Sequence, residues 1–403
     1  MISPLKNRNI VLAITGGIAA YKTPIIVRRL KDKGANVQVV ITENGKEFVS
    51  TLSLETVSNN RVIDSLFREG SNIKVEHIDL ADNSDFIIIA PATANIIAKI
   101  AHGMADDFLT SMLLAYRKKL LIVPAMNLNM YANPIVQKNM EFLKSFDNIF
   151  IMDADRGDLA CGYEGKGRMP DPNIIVKEAE YLLEKKDLLN KKIVITAGAT
   201  NEPFDSVRYL TNHSSGKMGY ALASRAVMRG AKVKLISSKN CEEIPYRVED
   251  VEYFSNVNSL KKIVDNSVDN FDLLVMAVAV GDYKFKNVAK NKVKKGKDNL
   301  FVELIRTTDI LKSIRDKKNI FKIGFAAETD EHLKNAQRKL EEKGIDAIVL
   351  NDVSRKDIGF KSNFNQVSFL YKENNLLYKD ELERMSKVEV ADKILDLYLK
   401  LSV

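Results

Sequence analysis

Cys161 stands in "DLACGYEGKGRM" (158–169), beside three glycines and almost nothing that could pack a core. A lone thiol is usually a small buried hydrophobe; one that its loop cannot bury is open to a ligand, and Lys166 and Arg168 beside it could meet a phosphorylated one. His77, in "VEHIDLA", reads either as a surface or satisfied core histidine or as an acid–base group. Asn127 and Asn129 lie two apart among the methionines of "PAMNLNMY". An amide in apolar surroundings needs a partner, either backbone or ligand. Thr93 and Asn95 open the helical pattern of "PATANIIAKIAHGMADD", where caps are the simpler reading and ligand contacts the alternative. "TGGIAAYK", with Gly16 and Gly17, either holds one phosphate on backbone N–H groups or simply makes a tight turn.

The second half has its own candidates. "RYLTNHSSGKMG" (208–219) is denser in polar and glycine residues than a core needs. Asn212, Ser214, Ser215 and Lys217 can address phosphate or amide groups, with a solvated loop as the alternative. It is not a P-loop, because Lys217 follows a single glycine. "GDYKFKNVAKNKVKKGKDN" (281–299) puts seven lysines directly after an apolar strand pattern. Such a run is usually a solvated loop, but at a ligand-binding edge it reads as a mobile cationic lid over a triphosphate. Asp282, at that strand's end, suits a ribose, base or metal contact.

The elements that must position these residues follow one pattern twice. "NIVLAITGG" and "KIVITAGAT" are apolar strands running into glycine, each followed by a helical stretch and a second strand, "NVQVVIT" or "KVKLISS". Continuous Val/Ile/Leu runs between helices predict parallel strands buried on both faces. Further strands are expected at "DFIIIAPA", "KLLIVPAM" and "NIFIMD", then at "FDLLVMAVA", "IFKIGFAAE" and "DAIVLND". A terminal hairpin around "KENN" and a final helix over 381–401 complete the pattern. Two doubly wound, Rossmann-like α/β domains are expected, residues 1–188 and 189–403, joined by a charged helix over 174–192. At 403 residues the chain is too long for one core.

Bulk composition narrows the partners. A net charge of +8, 7% aromatics and no Trp favour small anionic ligands over nucleic acid. Two cysteines 80 positions apart make neither a disulfide framework nor a metal cluster. With no long apolar run, a reduced, soluble, cytoplasmic protein without membrane contact is expected.

The first-half motifs, in this order over residues 9–170, resemble the flavin-dependent cysteine decarboxylases, and within them the phosphopantothenoylcysteine decarboxylases. The resemblance implies a flavoprotein fold, bound FMN and a redox-neutral decarboxylation with a thioaldehyde as electron sink and an ene-thiolate to be protonated. It implies that His77 is the base or orienter, that Asn127 holds the substrate carboxylate and that Cys161 is the acid. FMN would lie against Gly16, Gly17, Thr42, Thr93 and Asn95; many relatives carry Ser where this chain has Gly17.

Residues 190–400 resemble the CTP-using bacterial phosphopantothenate–cysteine ligases, through "TAGATNEPFDSVRYLTNHSSGKMG", "AVGDYKFKNVAKNKVKK", "GFAAET" and "LNDVS". That implies a ligase fold and a two-step ligation of 4'-phosphopantothenate and cysteine through an acyl-cytidylate, assisted by Mg2+, whose ligands stay unassigned. Asn212 would contact the acyl-cytidylate and Lys292 serve the catalytic lid. Nucleotide contacts would fall on Ala277, Val278, Ala279, Asp282, Lys292, Thr308, Asp309, Ile310, Leu311, Phe325, Lys339 and Lys343. Thr308 replaces a common Pro, and Gly281 a common Ala. The two activities are consecutive steps of coenzyme A biosynthesis, and the resemblance also implies homo-oligomers: trimeric decarboxylase cores, dimeric ligase halves and a dodecamer when fused. An FMN-binding regulatory flavoprotein without catalysis is the alternative, but it would need neither Cys161 on a flap nor a ligase half. A pair of NAD-type dehydrogenases lacks G-x-G-x-x-G.

Overall fold

The computed structural model describes residues 3–66, 76–158, 164–239, 241–295, 299–328, 332–352, 362–374 and 376–402. The chain divides into two compact units, Ile2–Glu184 and Lys185–Val403.

In the first unit a five-stranded parallel sheet runs in the order Asn36–Ile41, Asn9–Ile14, Phe86–Ala92, Leu120–Pro124, Ile149–Ile151. Alternate strand residues serve two cores. Ile10, Leu12 and Ile14 pack with Phe86, Ile88 and Leu121 on one face. Val11 and Ala13 pack with Ile87, Ile89 and Ile122 on the other. That is why these strands read as unbroken apolar runs. Beyond the last strand, Asp155–Asp158 and Glu164–Arg168 pair antiparallel as a strap, which the sequence reading treats only as a glycine-rich loop.

In the second unit eight strands lie in the order Asp250–Phe254, Lys232–Ser238, Lys192–Ala197, Leu273–Met276, Phe321–Glu328, Ala347–Asp352, Val367–Glu373, Leu376–Glu381. The first six are parallel and the last two form the expected antiparallel hairpin. In chain order this is 3-2-1-4-5-6, the dinucleotide-type winding. The edge strand "DVEYF" escapes the sequence reading because only Phe254 in it is buried.

Two helices differ from expectation. The helix expected over 174–192 spans Pro172–Leu183, because Glu184 turns extended and Leu188 is fully buried in the second unit's core. The final helix begins at Lys387 rather than 381, set by a reciprocal Ser386–Glu389 capping box. Among the described residues no helix is long and apolar enough to cross a membrane.

Candidate active sites

In the first unit, buried Thr15 ties two strand ends together. Its hydroxyl donates to the Pro91 carbonyl at 2.7 Å and accepts the Thr93 N–H at 3.2 Å. These are the first and third strands in sequence, between which the winding reverses, and ligands bind beyond strand ends at such a point. Gly16 is required there, since a Cβ would lie 2.5 Å from Asn44 Cβ. Gly17 is not: its backbone is extended, and a Cβ would meet Thr93 Cγ2 at 3.6 Å, an ordinary contact. Thr93 caps the helix Ala94–Ala101 by accepting the Ile96 N–H, and Asn95 stands exposed in the first turn. Thr42 ends the neighbouring strand and donates its N–H to the Ile14 carbonyl at 3.0 Å. Gly16, Gly17, Thr42, Thr93 and Asn95 therefore gather at the ends of three adjacent strands.

Asn127 follows the fourth strand and caps Leu128–Ala132, its side chain accepting the Asn129 N–H at 2.8 Å. The strap returns against this segment. Met126 donates its N–H to the Gly167 carbonyl at 2.9 Å. A Cβ on Gly167 would stand 2.4 Å from the Met126 carbonyl oxygen, and one on Gly165 2.7 Å from Leu128 Cδ1. The G-x-G spacing thus lets a strand lie flush on Met126–Leu128. Cys161 falls between the two strap strands in sequence and lies outside the described residues. Lys166 is ion-paired to Asp153 at 3.3 Å and sits 5.6 Å from the Tyr131 ring centre, so residues outside the strap hold it. Of the two expected phosphate partners only Arg168 is exposed. His77, on Glu76–Asn83, sets its ring edge-on to Phe108, 6.3 Å between centres. Phe108 begins a helix fixed by an Asp107–Thr110 capping box.

In the second unit, the first strand runs into Gly198 at φ +95°, where a Cβ would fall 1.9 Å from Ser238 Oγ. The loop it starts is stitched to the end of the adjacent fourth strand. Thr196 Oγ1 accepts the Val278 N–H at 3.2 Å, and the Gly198 carbonyl accepts the Ala279 N–H at 2.9 Å. Ala277 donates its N–H to Val275 at 3.2 Å, so all three N–H groups of Ala277–Ala279 are engaged within the protein. What these residues offer a ligand is carbonyl oxygen and apolar surface. Buried Thr200 accepts the Gly281 N–H at 2.9 Å. Asn212 donates its amide to the Val280 carbonyl at 3.0 Å, bringing the 208–219 segment to the same edge.

Thr307 fastens the next segment by donating to the Asp282 and Gly281 carbonyls at 2.9 and 2.6 Å. Asp282 and Thr308 are exposed, whereas Ile310 and Leu311 turn into the core. Asp309 caps its short helix and pairs with Lys343 at 3.1 Å. Lys343 therefore reaches this edge already neutralised, with half-buried Lys339 one turn earlier on His332–Lys343. Phe325 is a partly buried member of the fifth strand.

The lysine-rich segment links the strands of a small hairpin, Tyr283–Phe285 with Leu304–Arg306. Two of its residues, Ala289 and Val293, are held by the 204–208 segment. Ala289 donates to the Phe204 carbonyl at 3.1 Å, and Val293 donates to Asp205 at 3.1 Å while its carbonyl accepts from Arg208 at 2.9 Å. Lys292 is exposed between these anchors. Bonds from Arg208, then from the backbone N–H groups of Val207, Arg208 and Val293, hold the Asp205 carboxyl well below the usual carboxylate range. The sequence reading passes over Asp205 and Arg208. The signal was the D-x-x-R spacing, in which Asp closes a turn on N–H groups two and three residues on. It also passes over Lys387, which is buried at the head of the last helix; burial, with Lys217 nearby, pushes its ammonium down to about 8. Among the described residues no group of three or more His, Cys, Asp or Glu could hold a metal ion.

Comparison with known proteins assigns both halves. Residues 3–183 match the Flavoprotein family model, and residues 188–401 match the DNA/pantothenate metabolism flavoprotein C-terminal domain. The coenzyme A biosynthesis bifunctional protein CoaBC of Bacillus subtilis is 42% identical over 97% of this chain and 96% of its own. Its Escherichia coli K12 counterpart is 38% identical over 98% of each. A crystal structure of the C-terminal domain of a CoaBC protein aligns at 36% identity and TM-score 0.45, covering 53% of this chain and 96% of that one. Full-length matches to two-activity enzymes favour catalysis over a purely regulatory flavin-binding role. The chain belongs to the family of bifunctional coenzyme A biosynthesis enzymes, a flavoprotein decarboxylase half followed by a ligase half.

Proposed function

We propose that the second unit ligates cysteine to 4'-phosphopantothenate at the expense of CTP and that the first decarboxylates the product to 4'-phosphopantetheine. The observation that carries this reading is that each motif set gathers beyond the C-terminal ends of parallel strands, at the switch point of its own sheet.

In the ligase half, a phosphopantothenate carboxylate oxygen attacks the α-phosphorus of CTP. A P–O bond forms, pyrophosphate leaves, and the acyl-cytidylate remains. The amine of cysteine then attacks the acyl carbon, forming the amide and releasing CMP. Asn212, whose amide already reaches Val280, orients the acyl-cytidylate beside Ala277–Ala279. Asp282, Thr308, Asp309, Phe325, Lys339 and Lys343 line the nucleotide side, and Lys292 meets the charge of the departing pyrophosphate. Mg2+ travels with the nucleotide phosphates, as this cation commonly does, rather than in a protein cage.

In the decarboxylase half, the fit to FMN is favourable: Gly16 and the extended Gly17 bring bare backbone to the strand end, beside the capped end of Ala94–Ala101. Gly16, Gly17, Thr42, Thr93 and Asn95 would hold it. Bound there, FMN supplies the reversible two-electron redox that makes the thiol-bearing carbon an electron sink for loss of CO2. Asn127 holds the substrate carboxylate, His77 orients or accepts a proton, and Cys161 protonates carbon after CO2 has left.

Two substitutions test the halves separately. Cys161→Ser is expected to release CO2 yet accumulate the oxidised enethiol, and a normal yield of 4'-phosphopantetheine would sink that role. Asn212→Asp is expected to trap or destabilise the acyl-cytidylate, and undiminished amide formation would count against it. A purified chain lacking flavin absorbance would refute the FMN assignment.

A further inference from the structure

We propose that Asp205 is a positioning residue for ligation: its buried carboxylate fixes the backbone at Val293 and thereby sets where Lys292 stands. The inference rests on the reading of Lys292 as the lid's catalytic lysine.

The Asp205 side chain is wholly buried and works in two directions at once. One oxygen accepts the Val207 and Arg208 N–H groups, both at 2.8 Å, which closes a local turn. The other accepts Arg208 Nη2 at 2.6 Å, Arg208 Nε at 3.1 Å and the Val293 N–H at 3.1 Å. A turn needs only the first set. The bond to Val293 crosses 88 positions and does nothing for the turn. Arg208, oriented by its two bonds to that one oxygen, also donates to the Val293 carbonyl at 2.9 Å, so both backbone groups of Val293 are gripped. Lys292 is the adjacent residue. With Ala289 held by Phe204, only three residues, Lys290–Lys292, span the two anchors. A tether so short restricts where the Lys292 backbone can go. The anchoring side is itself braced, Arg208 lying 4.8 Å over the Phe204 ring and Phe204 4.9 Å from Phe285.

The test uses the full chain carrying Asp205→Asn, Lys292→Gln, both together, and Val293→Pro, which removes the gripped N–H but leaves the Asp205–Arg208 turn. Ligation is followed with CTP, decarboxylation with preformed 4'-phosphopantothenoylcysteine, and lid exposure by trypsin cleavage within 290–295. Asp205→Asn should lower the ligation kcat on the order of 10- to 100-fold, with a much smaller change in KM for CTP and none in decarboxylation. Cleavage in the lid should speed up about tenfold, in line with a lost anchor. The double variant should ligate no more slowly than Lys292→Gln, because the two side chains act through one position. Additive losses, or normal ligation by Val293→Pro, would overturn the proposal even if Asp205→Asn failed to fold. A lid freed by Asp205→Asn in a chain whose Lys292→Gln form ligates normally would overturn the Lys292 reading while leaving the anchor intact. A lid not freed would overturn the anchor whatever Lys292 does.

Discussion

Both units wind a largely parallel sheet and bring candidate site residues to its strand ends, yet they close that edge differently. The first uses a short glycine turn at Gly16–Gly17 and a separate antiparallel strap whose glycines lie flush on Met126–Leu128. The second stitches backbone to backbone. Its post-strand loop is hydrogen-bonded to Ala279 and Gly281, Thr307 to Gly281 and Asp282, and the lysine lid is tied to Asp205 and Arg208. The first pattern suits a resident cofactor. The second fits the ligation proposed above, for which the loops need a fixed frame.

That comparison can be broken most sharply at one glycine in each half. Gly167→Ala would drive a Cβ to 2.4 Å from the Met126 carbonyl, and Gly198→Ala would force a Cβ into Ser238 at φ +95°. The first should cut decarboxylation on the order of 100-fold and leave ligation unchanged, and the second should do the reverse. Separate assays of the two steps check this, and a variant that lost both steps would show that the units are not independent sites. Next in size is Arg229→Ala. The Arg229 side chain is only 6% exposed and bridges Asp187, Asp392 and Asp396, fastening the segment after the boundary to the last helix. Asp187 keeps Lys185 at 3.2 Å and Asp392 keeps Arg225 at 2.7 Å, so loss of the buried guanidinium should cost about 2 kcal/mol, read as a lower unfolding midpoint for the second unit alone.

A smaller, pH-dependent effect belongs to Lys387. Its ammonium releases its proton near 8 in the folded chain against 10.5 for the ordinary group, because burial disfavours the charge. Between those values the unfolded chain binds more protons, so this residue makes stability rise with pH. Lys387→Met should flatten that rise in thermal melts of the second unit between pH 8 and 10.5, and an unchanged slope would show that the ammonium is not strained. The smallest effect is expected at Gly17→Ser, where the added Cβ meets only ordinary contacts. Flavin retention, measured by absorbance after gel filtration, should hold or improve, and loss of flavin would show that the turn is tighter than its backbone suggests.

The sequence was most legible where burial is two-sided. Runs such as "IVLAI" and "DAIVLND" announce central parallel strands because both faces pack, and every such run is a strand. It was least legible where structure depends on backbone pairing between distant segments. "DVEYF" has one buried residue in five, and the short pairs at Asn201–Pro203 with Tyr209–Thr211 and Tyr283–Phe285 with Leu304–Arg306 have no periodicity long enough to detect. Site residues showed the same division. Asn212 stands out in a polar, glycine-rich segment and Asp282 at a strand's end, whereas Asp205 and Arg208 look like ordinary turn residues until Val293 is brought to them. Helix boundaries shifted wherever a cap or a buried leucine decided them, at Ser386 and Leu188.

The central claim is that two separate sites perform consecutive steps on one chain. The most direct measurement is a mass-resolved assay of the purified full-length protein with 4'-phosphopantothenate, cysteine, Mg2+ and either CTP or ATP. The expected result is 4'-phosphopantetheine formed with CTP, with release of CMP, pyrophosphate and CO2, and far less product with ATP. Absence of both 4'-phosphopantothenoylcysteine and 4'-phosphopantetheine from a flavin-loaded chain would contradict it.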